Sequence, residues 1–199
     1  INILKKNKRL YPCFETEEEL ALKKKSLLSS GKPPIYDRSA LNLSEEEVNR
    51  KINSGERAHW RFKLEAKDIN WIDLIKGKVS FDSKNLSDPV LIREDGSLLY
   101  HLPSVIDDIQ ENITHIIRGE DHLPNTPKQI QIVNALGYKG FEYIHLPLVL
   151  GEDRKRLSKR HAATDLMSYK EEGYLPEAVL NMLAKLGWSN TTEDIFTVE

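Results

Sequence analysis

Residues 113–119 read Ile-Thr-His-Ile-Ile-Arg-Gly, residues 126–137 read Thr-Pro-Lys-Gln-Ile-Gln-Ile-Val-Asn-Ala-Leu-Gly, and residues 141–150 read Phe-Glu-Tyr-Ile-His-Leu-Pro-Leu-Val-Leu. The first run is short, apolar and rich in β-branched residues from Ile113 to Ile117, which suits a buried parallel strand. Thr126 as cap and Pro127 at the first helical position then start a helix. Ile130, Val133, Ala135 and Leu136 form its apolar face, and Gly137 ends it. Phe141 to Leu150 returns as a second strand. Strand, helix, strand within so few residues is a βαβ unit, so the fold class is α/β around a Rossmann-like half.

The flanks read differently. Thr16 with Glu19 is a capping box, opening a helix that carries Leu20, Leu27 and Leu28 and stops at Gly31. Ser44 with Glu47 repeats the device for a shorter helix ending near Gly55. Ala58 to Glu65 and Lys78 to Asp82 offer strands, and Asp95-Gly96 between two apolar triplets predicts a hairpin. This first part is α+β. Beyond Gly151 comes a charged loop, then helices from Thr164 to about Glu172 and from Pro176 to Leu186, the latter with an apolar side of Val179, Leu180, Met182, Leu183 and Leu186. The expected divisions are residues 1–98, 99–146 and 147–199.

Composition narrows the class. The chain has 199 residues, with 29 Lys plus Arg against 31 Asp plus Glu, a net charge of -2 and 39% apolar residues. That excludes intrinsic disorder, collagen and a coiled coil. No segment approaches the roughly 20 apolar residues of a membrane helix, so no membrane partner is expected. The single cysteine, Cys13, allows neither an internal disulfide nor a Cys-pair zinc site. A reducing cytoplasm is the expected compartment. Neither Ile1 nor Glu199 reads as a natural terminus, and the chain is expected to be an excerpt of a longer protein.

In open α/β sheets ligands bind beyond the carboxyl ends of the strands. The first strand runs into Arg118-Gly119-Glu120-Asp121-His122. Arg118 offers a planar, permanently charged fork for a carboxylate or phosphate, or it pairs with a neighbouring acid such as Glu120. The second strand runs into a loop in which five of the eight residues from Arg154 to His161 are basic. Such a loop either folds over a polyphosphate or is solvated. Lys5-Lys6-Asn7-Lys8-Arg9 and Lys23-Lys24-Lys25 could contact a nucleic-acid backbone, or form exposed helix faces beside Glu17-Glu18-Glu19. His115 reads as a core or flanking histidine rather than a ligand.

These residues bring a family into view. Arg156-Leu157-Ser158-Lys159-Arg160 resembles the Lys-Met-Ser-Lys-Ser loop of class I aminoacyl-tRNA synthetases. Ile117-Arg118-Gly119-Glu120-Asp121-His122-Leu123 and Asn125-Thr126-Pro127-Lys128-Gln129 resemble glutamyl-tRNA synthetases of bacterial type. So do His145-Leu146-Pro147-Leu148, Gly173-Tyr174-Leu175-Pro176-Glu177-Ala178, Tyr11-Pro12-Cys13-Phe14 and Val79-Ser80-Phe81-Asp82. The blocks keep their order and spacing over nearly the whole chain.

The resemblance implies ATP-dependent activation of L-glutamate to glutamyl-adenylate, then transfer to the 3′ end of tRNA(Glu). It implies that Tyr100 and Arg118 hold glutamate, with His101, Leu102, Pro103 and Ser104 lining the pocket. Asp121 and Val149 would flank ATP, and Arg156, Leu157, Ser158, Lys159 and Arg160 would bind its phosphates. The resemblance implies Lys159 and Ser158 as the catalytic residues. Mg²⁺ is expected with ATP, no zinc, and a monomer. Residues 1–98 resemble a connective insertion that grips the tRNA acceptor arm, and residues 147–199 the loop and the start of a helical stem-contact region.

The family's His-Ile-Gly-His motif has no counterpart here, nor has its amino-terminal glutamate-holding Arg or its anticodon-binding region. The excerpt alone is therefore expected to be inactive. Two rival readings remain: a truncated paralogue that glutamylates a modified anticodon base of tRNA, and a non-catalytic tRNA-binding module. The Ser158-Lys159-Arg160 sequence favours the synthetase over both.

Overall fold

The computed structural model describes residues 1–151, 165–186 and 195. It comprises two compact units, residues 1–146 and 147–199. The first unit opens with α1 (Asn2–Lys6), β1 (Leu10–Cys13), α2 (Glu17–Ser29), α3 (Glu45–Asn53) and β2 (His59–Phe62). It continues with β3 (Asp68–Asp73), β4 (Gly77–Asp82), β5 (Val90–Ile92), α4 (His101–Gln110), β6 (His115–Gly119), α5 (Thr126–Ala135) and β7 (Glu142–Leu146). The second unit contributes α6 (Leu166–Glu171) and α7 (Pro176–Lys185).

Two sheets organise the first unit. One is antiparallel in the order β1-β2-β5, and the other runs β4-β3-β7-β6. In the second sheet β6 and β7 pair in parallel across α5, with Arg118 opposite His145, so the βαβ unit is present. The β3–β4 hairpin joins the same sheet, where Asp73 meets Tyr143 in parallel. The main core crosses residues 98 and 99. Leu4, Leu10, Phe62, Leu64 and Leu91 pack with Leu102, Val105, Ile132 and Val133. A second cluster of Ile69, Trp71 and Tyr143 lies between the hairpin and β7.

Both capping boxes are present. The Thr16 and Ser44 hydroxyls accept from the N–H groups of Glu19 and Glu47, whose carboxylates reach back to the cap N–H groups. Gly31 follows α2 with φ 68°, a left-handed conformation that glycine adopts at little cost.

Several expectations need correction. The strand expected to be buried forms two residues later, at His115–Gly119, and it is an edge of its sheet with Ile117 60% exposed. The second strand is shorter than expected and ends at Leu146, before Pro147. The Asp95-Gly96 turn closes only a single bridge, Ile92 to Leu98, because Tyr100 already turns into α4. Asn125, not Thr126, occupies the cap of α5. Thr126 is fully buried, and its hydroxyl is committed to side chains of the sheet. In the second unit Asp165 caps α6, and Val179 alone of the expected apolar side of α7 is buried. Thr164 lies outside the described residues. No helix among the described residues is long and apolar enough to cross a membrane.

Candidate active site

At the end of β6, Arg118 is the centre of a polar network. Its Nε donates to His145 Nε2 at 3.2 Å and its Nη2 to Thr126 Oγ1 at 2.8 Å. Its Nη1 donates to Gln129 Oε1 at 2.6 Å and to the Tyr100 hydroxyl at 3.4 Å. Gln129 in turn donates to Ser104 Oγ at 3.0 Å. The network spans α4, β6, α5 and β7, so the two helices that cover the sheet also aim its cation. None of these four acceptors is a carboxylate. The expected alternative, pairing with Glu120, is not adopted: Glu120 takes Lys76 instead.

A cleft of about 300 Å³ opens beside the guanidinium. Tyr100, Ser104 and Asp108 line it from α4, with Arg118 and Gln129 opposite and His115, Ile116 and Ile117 along the strand. Helical spacing explains which expected glutamate residues reach it. Positions 100, 104 and 108 are four apart and share one face. Leu102 and Val105 point the other way, into the core, so Leu102 offers the cleft no side chain. His101 is half-buried, and Nδ1 has no hydrogen-bond partner among the described residues. Burial, followed by the positive charges of Lys128 and Arg118, lowers its pKa to about 4. Its imidazole is therefore neutral at pH 7. Tyr100 also meets His122, OH to Nδ1, at 3.3 Å.

Of the residues expected at ATP, Asp121 follows β6 in a short 3-10 turn, Glu120–Asn125. Val149, 40% exposed, belongs to the second unit. Arg156, Leu157, Ser158, Lys159 and Arg160 lie outside the described residues. The basic clusters of the first part are partly committed to internal contacts. Lys5 lies over the Trp60 ring at 3.7 Å, Arg9 pairs with Glu65, and Lys23 binds Ser39 and Asp37.

Among the described residues one group could share a metal ion: Cys13, Glu15 and His59, whose ligand atoms lie within 4.8 Å of one another. Only one thiol is present, and burial pushes it up to about 12. Glu15 Oε1 already accepts from the Tyr36 and Ser39 hydroxyls at 2.6 and 2.8 Å. The donor set does not match a Cys-pair zinc centre.

Sequence reasoning missed four members of the network: Asp73, Thr126, Gln129 and His145. Thr126 was assigned to a cap, and Gln129 sat in a matched block without a role. Asp73 and His145 are 72 positions apart in the chain, and nothing local signals their pairing.

Known proteins match this chain throughout. Residues 1–199 match the family described as tRNA synthetases class I (E and Q), catalytic domain. A glutamate–tRNA ligase of Azospirillum brasilense is 50% identical over 197 residues, 98% of this chain and 44% of its own length. Glutamate–tRNA ligase 2 of Hyphomonas neptunium is 48% identical over 190 residues, 96% and 43% of the two chains. The crystal structure of glutamate–tRNA synthetase from Elizabethkingia anophelis superposes with a TM-score of 0.86 at 33% identity, covering 98% of this chain and 45% of that one. The chain thus spans less than half the length of these relatives. With the family match running from end to end and the fold agreeing, the chain belongs to the class I tRNA synthetases (E and Q), within their catalytic domain.

Proposed function

We propose that the chain carries the amino-acid site of a glutamate–tRNA ligase. The relatives named above are glutamate–tRNA ligases, and the Arg118 cleft suits the side chain that distinguishes glutamate. Among the described residues the hydrogen bonds of this guanidinium all go to groups other than carboxylates, and Asp108, the one acid lining the cleft, makes no ion pair with it. A γ-carboxylate can form an ion pair with this fork; the amide of glutamine cannot. Tyr100 adds a phenol hydroxyl beside the same fork.

In this reading an α-carboxylate oxygen of glutamate attacks the α-phosphorus of ATP and pyrophosphate leaves. The 3′-terminal hydroxyl of tRNA(Glu) then displaces AMP from the adenylate. No protein nucleophile is needed. Catalysis is positioning plus electrostatics, with Mg²⁺ carried by the nucleotide and Ser158, Lys159, Arg156 and Arg160 on the phosphates. Asp121 and Val149 flank ATP. Residues 1–98 act as the acceptor-arm insertion, with the β3–β4 hairpin lending two strands to the catalytic sheet. Residues 99–146 complete the nucleotide fold, and 147–199 carry the phosphate loop. The protein works as a cytoplasmic monomer without zinc.

The observation that carries the reading is the cation at the tip of β6 facing a small cleft, with no carboxylate hydrogen-bonded to it among the described residues. Pyrophosphate exchange by the intact protein that contains this chain tests it. Exchange should depend on L-glutamate and fall at least about a hundredfold with L-glutamine at equal concentration, the scale of rejection expected when a built polar site is mismatched. Equal exchange with both amino acids contradicts the reading.

A further inference from the structure

Asp73 ends β3 and His145 lies near the end of β7, and neither side chain reaches solvent. Such a pair is expensive to bury unless its polar atoms find partners. Here they do. Asp73 Oδ2 accepts from His145 Nδ1 at 2.6 Å. Its Oδ1 accepts from the backbone N–H groups of Ile75, Lys76 and His145 at 3.1, 3.0 and 3.3 Å. Burial pushes this carboxyl up, but the Lys76 N–H, the His145 ring and the other N–H donors outweigh it and hold it at about 2. Lys76, just beyond, pairs with Glu120 and so ties the β3–β4 turn to the segment after Arg118.

An ionised carboxylate can only accept, which assigns the imidazole proton to Nδ1. The ring then presents the Nε2 lone pair to Arg118 Nε–H at 3.2 Å, with the Thr126 hydroxyl sharing it at 3.0 Å. Arginine has no acceptor, so this contact requires that tautomer. The guanidinium is held by its Nε edge, and Nη1 reaches Gln129 and Tyr100, both of which line the cleft.

We propose that Asp73 and His145 are positioning residues for amino-acid recognition. The carboxylate fixes the imidazole tautomer, and the imidazole fixes which edge of Arg118 faces the ligand. The inference rests on the reading of Arg118 as the ligand of the glutamate side chain. Neither residue touches the substrate.

Asp73→Asn is the informative variant because it keeps the shape and inverts the polarity. The new amide N–H₂ donates to Nδ1, the ring proton moves to Nε2, and two N–H donors then confront each other at Arg118. Losing this one hydrogen bond should raise the glutamate KM about tenfold while the ATP KM changes less than about threefold. Nitrogen-15 spectra of the histidine-labelled intact protein should show the proton on Nδ1 in the wild type and on Nε2 in the variant.

A wild-type ring protonated on Nε2 overturns the proposal. So does an inverted ring with an unchanged glutamate KM, or an equal rise in both KM values, which marks a merely structural role. If the wild type shows no glutamate-dependent exchange, the functional reading itself falls, and the glutamate role of the pair with it. Should Asp73→Asn fail to fold, His145→Gln and His145→Leu replace it. Gln can bring an acceptor oxygen near the place of Nε2 and should keep the glutamate KM within about threefold of wild type, whereas Leu should raise it about tenfold. Equal effects of the two overturn the proposal.

Discussion

His101 opens α4 with a half-buried ring held neutral by burial and by the fields of Lys128, Arg118 and His122. Its folded pKa, about 4, lies below the unfolded value near 6.5, so the unfolded chain binds the extra proton first. The stability tied to the neutral ring is complete above pH 6.5 and is lost as the pH falls toward 4. The loss should be on the order of 2 kcal/mol. Urea midpoints at pH 7 and 4.5 should therefore diverge for the wild type more than for His101→Leu, which has nothing to titrate. Equal divergence would mean that the ring is not desolvated. At this scale, sequence reading reached Tyr100, Ser104 and Arg118 at the cleft and stopped short of Asp108 and Gln129, which also line it, and of the buried pair behind them. Arg118 was legible because it follows a β-branched run at a strand end. Asp73 and His145 were not, since their meeting depends on β3 and β7 becoming neighbours in one sheet.

Elements were legible where local chemistry decides them. Thr16 and Ser44 announce their helices through capping boxes, and both boxes are made in full. For α3, which has no buried residue, the cap is a main support. Ser44→Ala should cost the helix about 1 kcal/mol, read as roughly fivefold faster exchange of the first-turn amides of α3. Unchanged protection would show that tertiary packing, not the cap, holds it. Elements were missed where a local rule is overridden. Residues 101–110 carried no helix expectation, yet α4 forms there with Pro103 in its first turn, where the N–H is unbonded in any case. The strand β3 alternates exposed and buried through Asp68–Asp73, but its third inward position is a carboxylate rather than an apolar residue. That carboxylate, Asp73, is the one that anchors the Arg118 network. Likewise β6 looked buried because its residues are apolar, and it stands at a sheet edge with Ile117 exposed.

Over the whole first unit, a parallel strand pair, a hairpin and two helices converge on one side chain. Leu102 and Val105 pack α4 onto Ile132 and Val133 of α5, and the opposite faces present Tyr100, Ser104 and Gln129 to the cleft. The ordered motifs made the family legible along the entire chain. Arg156 to Arg160, expected at the phosphates of ATP from the resemblance alone, lie outside the described residues. The proposed amino-acid half of the site lies within the described residues, and it turns on the claim that Arg118 reads a carboxylate. The direct measurement is the glutamate KM of Arg118→Ala in pyrophosphate exchange by the intact protein. Leaving a desolvated carboxylate without its cation should cost about 2–5 kcal/mol, a rise in KM of roughly thirtyfold or more, with the ATP KM little changed. A rise of less than about threefold would contradict the claim.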